Sequence, residues 1–142
     1  MSQKTLSLSE VPAFCQELSQ QLQKKQIVLL EGPLGAGKTE LVKEFVKALG
    51  GLESSSPTYA LINEYVLKQK TAYHVDLYRI DGEEDLESVG FWDLFEGDEG
   101  LIFIEWASRL EISQLPLSWS KLKVKVSKPD DNHCRIYEIE EL

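Results

Sequence analysis

Gln26-Ile-Val-Leu-Leu-Glu31-Gly32-Pro33-Leu34-Gly35-Ala36-Gly37-Lys38-Thr39 joins an apolar run to a glycine-rich loop, and the fold class follows from that junction. It opens as a short continuous apolar run bounded by Gly32-Pro33, the pattern of a strand buried on both faces of a parallel sheet. It closes into Lys38–Leu49, where Leu41, Val42, Phe45, Val46 and Leu49 share one helical face and Gly50-Gly51 supplies the left-handed stop. Between strand and helix, Gly32–Thr39 matches G-x-x-x-x-G-K-[ST], the phosphate-binding loop. Gly35 and Gly37 let the backbone turn so that successive N–H groups face one cavity, and the helix start adds its positive dipole end there. Gly32, Gly35, Ala36, Gly37, Lys38 and Thr39 are therefore the expected phosphate contacts. Lys38 would reach the β- and γ-phosphates and the Thr39 hydroxyl a Mg²⁺ ion. Pro33 removes one backbone donor, early in the loop where little depends on it.

Working outward, Ser9 to about Lys24 carries Val11, Phe14, Cys15, Leu18 and Leu22 at helical spacing, with Ser9 as the expected N-cap and Pro12 in the first turn. The residues before it are read as leading straight into that helix. Cys15 lies on the apolar stripe and is expected to be an inert core thiol. After the Ser54-Ser55-Ser56-Pro57 break, Thr58–Val66 and Thr71–Arg79 are rich in β-branched and aromatic residues and predict an antiparallel hairpin. Gly82–Gly100 is acidic with apolar residues at helical intervals, predicting one or two short helices. Leu101-Ile-Phe-Ile-Glu105 is a second fully apolar strand. Lys121–Val126 alternates strictly, and with Arg135–Ile139 it reads as half-exposed strands at a sheet edge. The expected architecture is α/β and P-loop NTPase-like: a central, mostly parallel sheet with antiparallel additions and flanking helices. No repeat or linker divides residues 1–142, which read as a single domain.

A phosphate loop needs a carboxylate at the end of a buried strand. Glu105 stands there and is expected to ligand the metal or orient the attacking water. Asp76 sits among apolar residues in His74-Val-Asp-Leu-Tyr-Arg79; it predicts either a metal or water role or a structural pair with His74 or Arg79. His74 itself reads as a satisfied structural histidine. Thr58 reads equally as a switch-like sensor of the γ-phosphate and as a turn that begins a strand.

Among 142 residues, 24 Asp and Glu stand against 15 Lys and Arg, for a formal charge of -9. That balance argues against broad electrostatic binding to nucleic acid. No apolar run approaches the ~20 residues of a membrane span, and a signal-peptide h-region is lacking. Cys15 and Cys134 form no CxxC pair, so reduced thiols and a cytoplasmic location are expected. Acidic residues fill Glu83–Glu99 around Phe91, Trp92 and Phe95. That segment reads either as a solvated face whose aromatics turn inward or as a partner-docking surface.

Gly32-Pro-Leu-Gly-Ala-Gly-Lys-Thr39, Ser56-Pro-Thr-Tyr59, His74-Val-Asp-Leu-Tyr-Arg79 and Ile104-Glu-Trp106, in this order and spacing, resemble the bacterial TsaE family (also called YjeE). The resemblance runs from about Leu6 to Pro116 and weakens beyond. It implies an ATPase component of threonylcarbamoyladenosine synthesis on tRNA. Its phosphate loop falls on Gly32–Thr39, its Mg²⁺ site on Thr39 and Glu105, its switch-like Thr on Thr58 and its functionally required Asp on Asp76. Lys38, Asp76 and Glu105 are thus the expected catalytic residues, with ATP and Mg²⁺ as cofactors. The implied partners are a threonylcarbamoyl transferase and its inactive paralogue, a TsaD/TsaB-like heterodimer, with tRNA met only indirectly and turnover low without them. Pro33, where an acidic residue is usual, and Glu40, where a small hydroxyl residue is common, depart from the pattern. Glu40 sets a carboxylate beside the phosphates and is expected to weaken nucleotide binding.

Three rival readings are weighed. Ser127-Lys-Pro-Asp130 only superficially matches the guanine-reading [NT]KxD, and no Asp-x-x-Gly switch accompanies it. A small-molecule kinase would bring several arginines to the phosphoryl group, whereas this chain has only Arg79, Arg109 and Arg135. A nucleotide-switched binding module with negligible turnover differs only in whether hydrolysis matters.

Overall fold

The structure is a computed structural model that describes residues 2–33, 35–51, 62–68, 70–78, 80, 83–106, 111–130 and 133–142. Seven strands form one sheet in the order β1-β7-β6-β2-β5-β4-β3. They are β1 (Ser2–Ser7), β2 (Lys25–Glu31), β3 (Ile62–Val66), β4 (Thr71–Asp76), β5 (Gly100–Glu105), β6 (Ser120–Ser127) and β7 (Cys134–Glu141). β6, β2, β5 and β4 run parallel, while β1, β7 and β3 add antiparallel pairings. This is the α/β sheet expected from the two apolar runs.

The apolar runs Ile27–Leu30 of β2 and Leu101–Ile104 of β5 follow from cover on both sheet faces. On one face α1 (Val11–Ser19) and α2 (Lys38–Ala48) pack Phe14, Cys15, Leu41 and Phe45 over Val28, Leu30, Leu101 and Phe103. On the other, α3 (Glu83–Ser88) and the 3-10 turn Trp92–Phe95 bring Leu86, Phe91 and Phe95, with Trp119, over Ile27, Leu29, Ile102 and Ile104. Phe91 and Phe95 are thus turned into the core, and Glu87, Asp93, Glu96, Asp98 and Glu99 around them are exposed. The inward turn of Phe91 and Phe95 is what the solvated-face reading expects, while the exposed carboxylates are equally what a partner-docking surface would present. α2 ends as expected: Gly50 has φ +80°, and the Gly50 and Gly51 N–H groups close onto Lys47 and Val46 carbonyls.

Four expectations are corrected. Ser2–Ser7 is a strand rather than a lead-in to a helix. Its side chains are mostly exposed, and the main-chain ladder to β7, from Ser2↔Ile139 to Ser7↔Cys134, holds it. The first helix starts at Val11, after a 3-10 turn over Leu8–Glu10, so Ser9 is not its cap. Instead the N–H and Oγ of Ser7 both donate to the Glu10 carboxylate at 2.8 Å, bonds that hold its pKa below the ordinary value. That helix also stops at Ser19 rather than near Lys24, because the chain tightens to three-residue bonds (Gln21 N–H to Leu18, Leu22 N–H to Ser19) before entering β2. Finally, neither β6 nor β7 is an edge: β6 lies between β2 and β7, and β7 between β6 and β1. Leu122, Val124 and Val126 are buried while Lys121, Lys123 and Lys125 face the less covered side, so its alternation reports one covered face, not an edge.

Candidate functional site

The carboxyl ends of β2, β4 and β5 meet at one point of the sheet, where Leu30 lies in register with Glu105 and Asp76 with Glu105. Open α/β sheets bind ligands at such strand ends. The phosphate loop leaves β2 here and enters α2 at Lys38. Gly37, the residue before the helix, has φ +108°, a conformation that glycine alone adopts without strain. At Gly32, φ is +148° and any Cβ would strike the Val126 carbonyl oxygen. The loop is therefore seated on the end of β6 as well as on β2.

Lys38 is buried. Its Nζ donates to the Gly32 carbonyl at 2.7 Å and sits 4.4 Å from the centre of the Trp106 ring, so the ammonium is held by its own loop and by a π-face. Trp106 directly follows β5 at φ +61°, the positive-φ exception among non-glycine residues described here. A tryptophan held in that region stores about 1–2 kcal/mol of strain. Its ring also packs against Tyr78 at 4.9 Å.

Glu105 is 5% exposed and its Oε2 lies 2.7 Å from His74 Nε2, also buried. Strand alternation explains the meeting: Leu101, Phe103 and Glu105 share one face of β5, and Ala72 and His74 share that face of β4. His74 is thus the satisfied structural histidine the sequence predicts, with Glu105 as its partner. The pairing of His74 with Asp76 is accordingly overturned. Asp76 is exposed at the end of β4, where its Oδ1 accepts the Tyr78 N–H at 3.0 Å. Thr39 and Glu40, both exposed on the first turn of α2, complete with Asp76, Glu105 and Trp106 a cleft of about 330 Å³ beside the loop.

The structure therefore brings Gly35, Gly37, Lys38, Thr39, Asp76 and Glu105 to one cleft, with Gly32 and Ala36 in the loop that forms it. Thr58 and Arg79 lie outside the described residues. Sequence reasoning missed two site members. Trp106 falls in the Ile104-Glu-Trp106 motif, but its contact with Lys38 depends on a backbone angle that the sequence does not reveal. Arg135 lines the same cleft from β7, a strand separated from the loop by nearly a hundred residues of chain.

The family model for TsaE, threonylcarbamoyl adenosine biosynthesis protein, matches residues 5–136, reaching well beyond Pro116. Curated relatives carry the name tRNA threonylcarbamoyladenosine biosynthesis protein TsaE. That of Rickettsia conorii is 37% identical over 128 residues, covering 89% of this chain and 70% of the relative. That of Rickettsia prowazekii is 35% identical, covering 92% and 90%, and that of a Nostoc species 42% identical, covering 66% and 59%. The crystal structure of YdiB from Bacillus subtilis superposes with a TM-score of 0.68 at 28% identity, over 97% of this chain and 85% of that one. With the match spanning nearly all of its length, this chain belongs to the TsaE family.

Proposed function

We propose that this chain is a Mg²⁺-dependent ATPase, one cytoplasmic domain over residues 1–142, that serves threonylcarbamoyladenosine modification of tRNA. It would act on a complex of a threonylcarbamoyl transferase and that enzyme's inactive paralogue, which itself holds the tRNA. The observation that carries the reading is the cleft: a phosphate loop and its lysine on one side, and two strand-end carboxylates on the other.

The donor set fits Mg²⁺. The hydroxyl of Thr39 and the carboxylates of Asp76 and Glu105 are hard oxygen donors around one cleft. Among the described residues no group of three or more His, Cys, Asp or Glu forms a metal cage. Mg²⁺ keeps several waters and completes its shell with phosphate oxygens, so few protein donors would suffice to hold it. When bound, the ion would neutralise charge developing on the transferred phosphoryl group. The loop amides of Gly35 to Thr39 would hold the phosphates, and Lys38 would exchange the Gly32 carbonyl for β- and γ-phosphate oxygens. Glu105, with one oxygen fixed by His74, would turn its other oxygen either to the metal or to the attacking water. Thr58 is proposed to sense the γ-phosphate.

Lys38→Ala tests this directly. It removes the ammonium aimed at the phosphates, so a folded variant should lose binding of a fluorescent ATP analogue by at least about a hundredfold, close to 3 kcal/mol. Glu105→Ala should keep binding, through the loop amides, and lose hydrolysis. Wild-type affinity and turnover in both folded variants would overturn the assignment. Turnover measured with and without the transferase complex separates an ATPase from a switch that merely binds nucleotide.

A further inference from the structure

We infer that Arg135 is a phosphate-binding residue of this cleft, gripping the nucleotide from the side opposite the two carboxylates. The inference rests on the nucleotide reading above. β7 is not a neighbour of β2, since β6 lies between them. The last ladder pair of β6 with β7 is Ser127↔Ile136, so Arg135 stands just past the end of that pairing. From there its side chain crosses over the top of β6, whose Val126 carbonyl supports Gly32, and reaches the loop itself. A Cβ built on Gly37 would lie 3.4 Å from Arg135 Nε and 3.9 Å from its Cδ. The guanidinium is thus laid against the residue whose N–H opens the anion nest and the N-terminus of α2.

Its orientation is set from behind, for one terminal nitrogen donates to the Cys134 carbonyl at 2.8 Å. Arginine presents five donors in a planar fork whose geometry matches phosphate oxygens two at a time. The cleft itself calls for such a cation. Glu40, Asp76 and Glu105 bring three carboxylates to it, and Lys38 is the other basic residue lining it. A nucleotide polyphosphate entering opposite those carboxylates meets Arg135 on the β7 side, away from the metal ligands. The site so formed selects a di- or triphosphate by charge and contributes to holding it, not to the bond-breaking step. It also gives the C-terminal strand pair a function, because β7 places this cation.

The test measures binding of fluorescent ADP and ATP analogues by Arg135→Ala, Arg135→Lys and Lys38→Ala, with steady-state hydrolysis alongside. Arg135→Ala should weaken both nucleotides about tenfold or more and raise KM by a similar factor with kcat retained, the signature of uniform binding. Arg135→Lys should recover part of the loss, since it keeps the charge without the fork. Thermal melting without nucleotide checks folding, and Arg135→Lys carries the test if Arg135→Ala does not fold. If both folded Arg135 variants bind within twofold of wild type while Lys38→Ala loses binding, Arg135 is no ligand and the nucleotide reading stands. A fall in kcat at constant KM would likewise overturn the binding role. If wild-type protein binds neither nucleotide, the nucleotide reading fails and the inference with it.

Discussion

At the scale of single residues, the contact that organises the site is His74 Nε2 to Glu105 Oε2, 2.7 Å long and buried on both sides. A carboxylate in that position has little water to solvate it, so a fixed N–H donor both stabilises it and aims it. His74→Ala leaves Glu105 without that donor and should cost about 3–5 kcal/mol of stability, on the order of 10 °C in Tm at this chain length. Hydrolysis should fall at least tenfold with nucleotide affinity nearly kept, and His74→Gln, which retains an N–H, should recover part of both losses. A His74→Ala protein with wild-type Tm and turnover would show that Glu105 needs no such support. Elsewhere the single-residue reading was plain from sequence. Cys15, on the helical stripe, is fully buried and its thiol is pushed up to about 12 by desolvation first and by the Glu44 charge second. It is the inert core thiol its position predicts.

At the scale of elements, the loop is positioned by two strands and not one. β2 delivers the chain into Gly32, and β6 offers the Val126 carbonyl as the floor on which Gly32 rests. Gly32→Ala meets that backbone oxygen at a φ of +148°, and neither the strand nor the loop can yield cheaply. The variant should melt several degrees lower and bind nucleotide at least about tenfold more weakly, a loss near 1.4 kcal/mol. Unchanged melting and affinity would mean that the loop does not depend on this seat. The same element pair shows how far the sequence was legible. β2 and β5 declare themselves because burial on both faces leaves four consecutive apolar residues in each, Ile27–Leu30 and Leu101–Ile104. β6 declares its one covered face but not its place in the sheet, since Leu122, Val124 and Val126 would alternate alike at an edge or inside. β1 declares nothing, because main-chain bonds to β7 hold a mostly exposed strand. The site followed the same rule: Lys38, Thr39 and Glu105 were readable from local context. The His74–Glu105 bond, the Trp106 contact and Arg135 depend on strand order, register and one unusual backbone angle, which no local pattern encodes.

At the scale of the whole molecule, the charge of -9 bears on whether the chain could hold tRNA by itself. Non-specific affinity for nucleic acid comes from cations that displace counterions from phosphates, and a strongly acidic surface opposes it. Lysines do gather in one place away from the cleft: Lys47, Lys68 and Lys70 line a groove of about 710 Å³ beside the ends of α1 and α2. Two of these ammonium groups are engaged there. Lys47 lies 3.6 Å from the Glu44 carboxylate. Lys70 donates to the Gln23 carbonyl at 3.3 Å, with burial lowering its pKa. The C-terminal ends of both helices also present their negative dipole poles to that groove. The isolated chain should therefore bind tRNA more weakly than about 10⁻⁴ M near 0.1 M salt, the weak end of non-specific binding. Fluorescence anisotropy of labelled tRNA across a salt series measures this. Micromolar affinity that falls steeply with salt, and is lost on Lys68→Glu with Lys70→Glu, would mean that this groove touches the tRNA. The proposed transferase complex would then not be the sole holder of the tRNA.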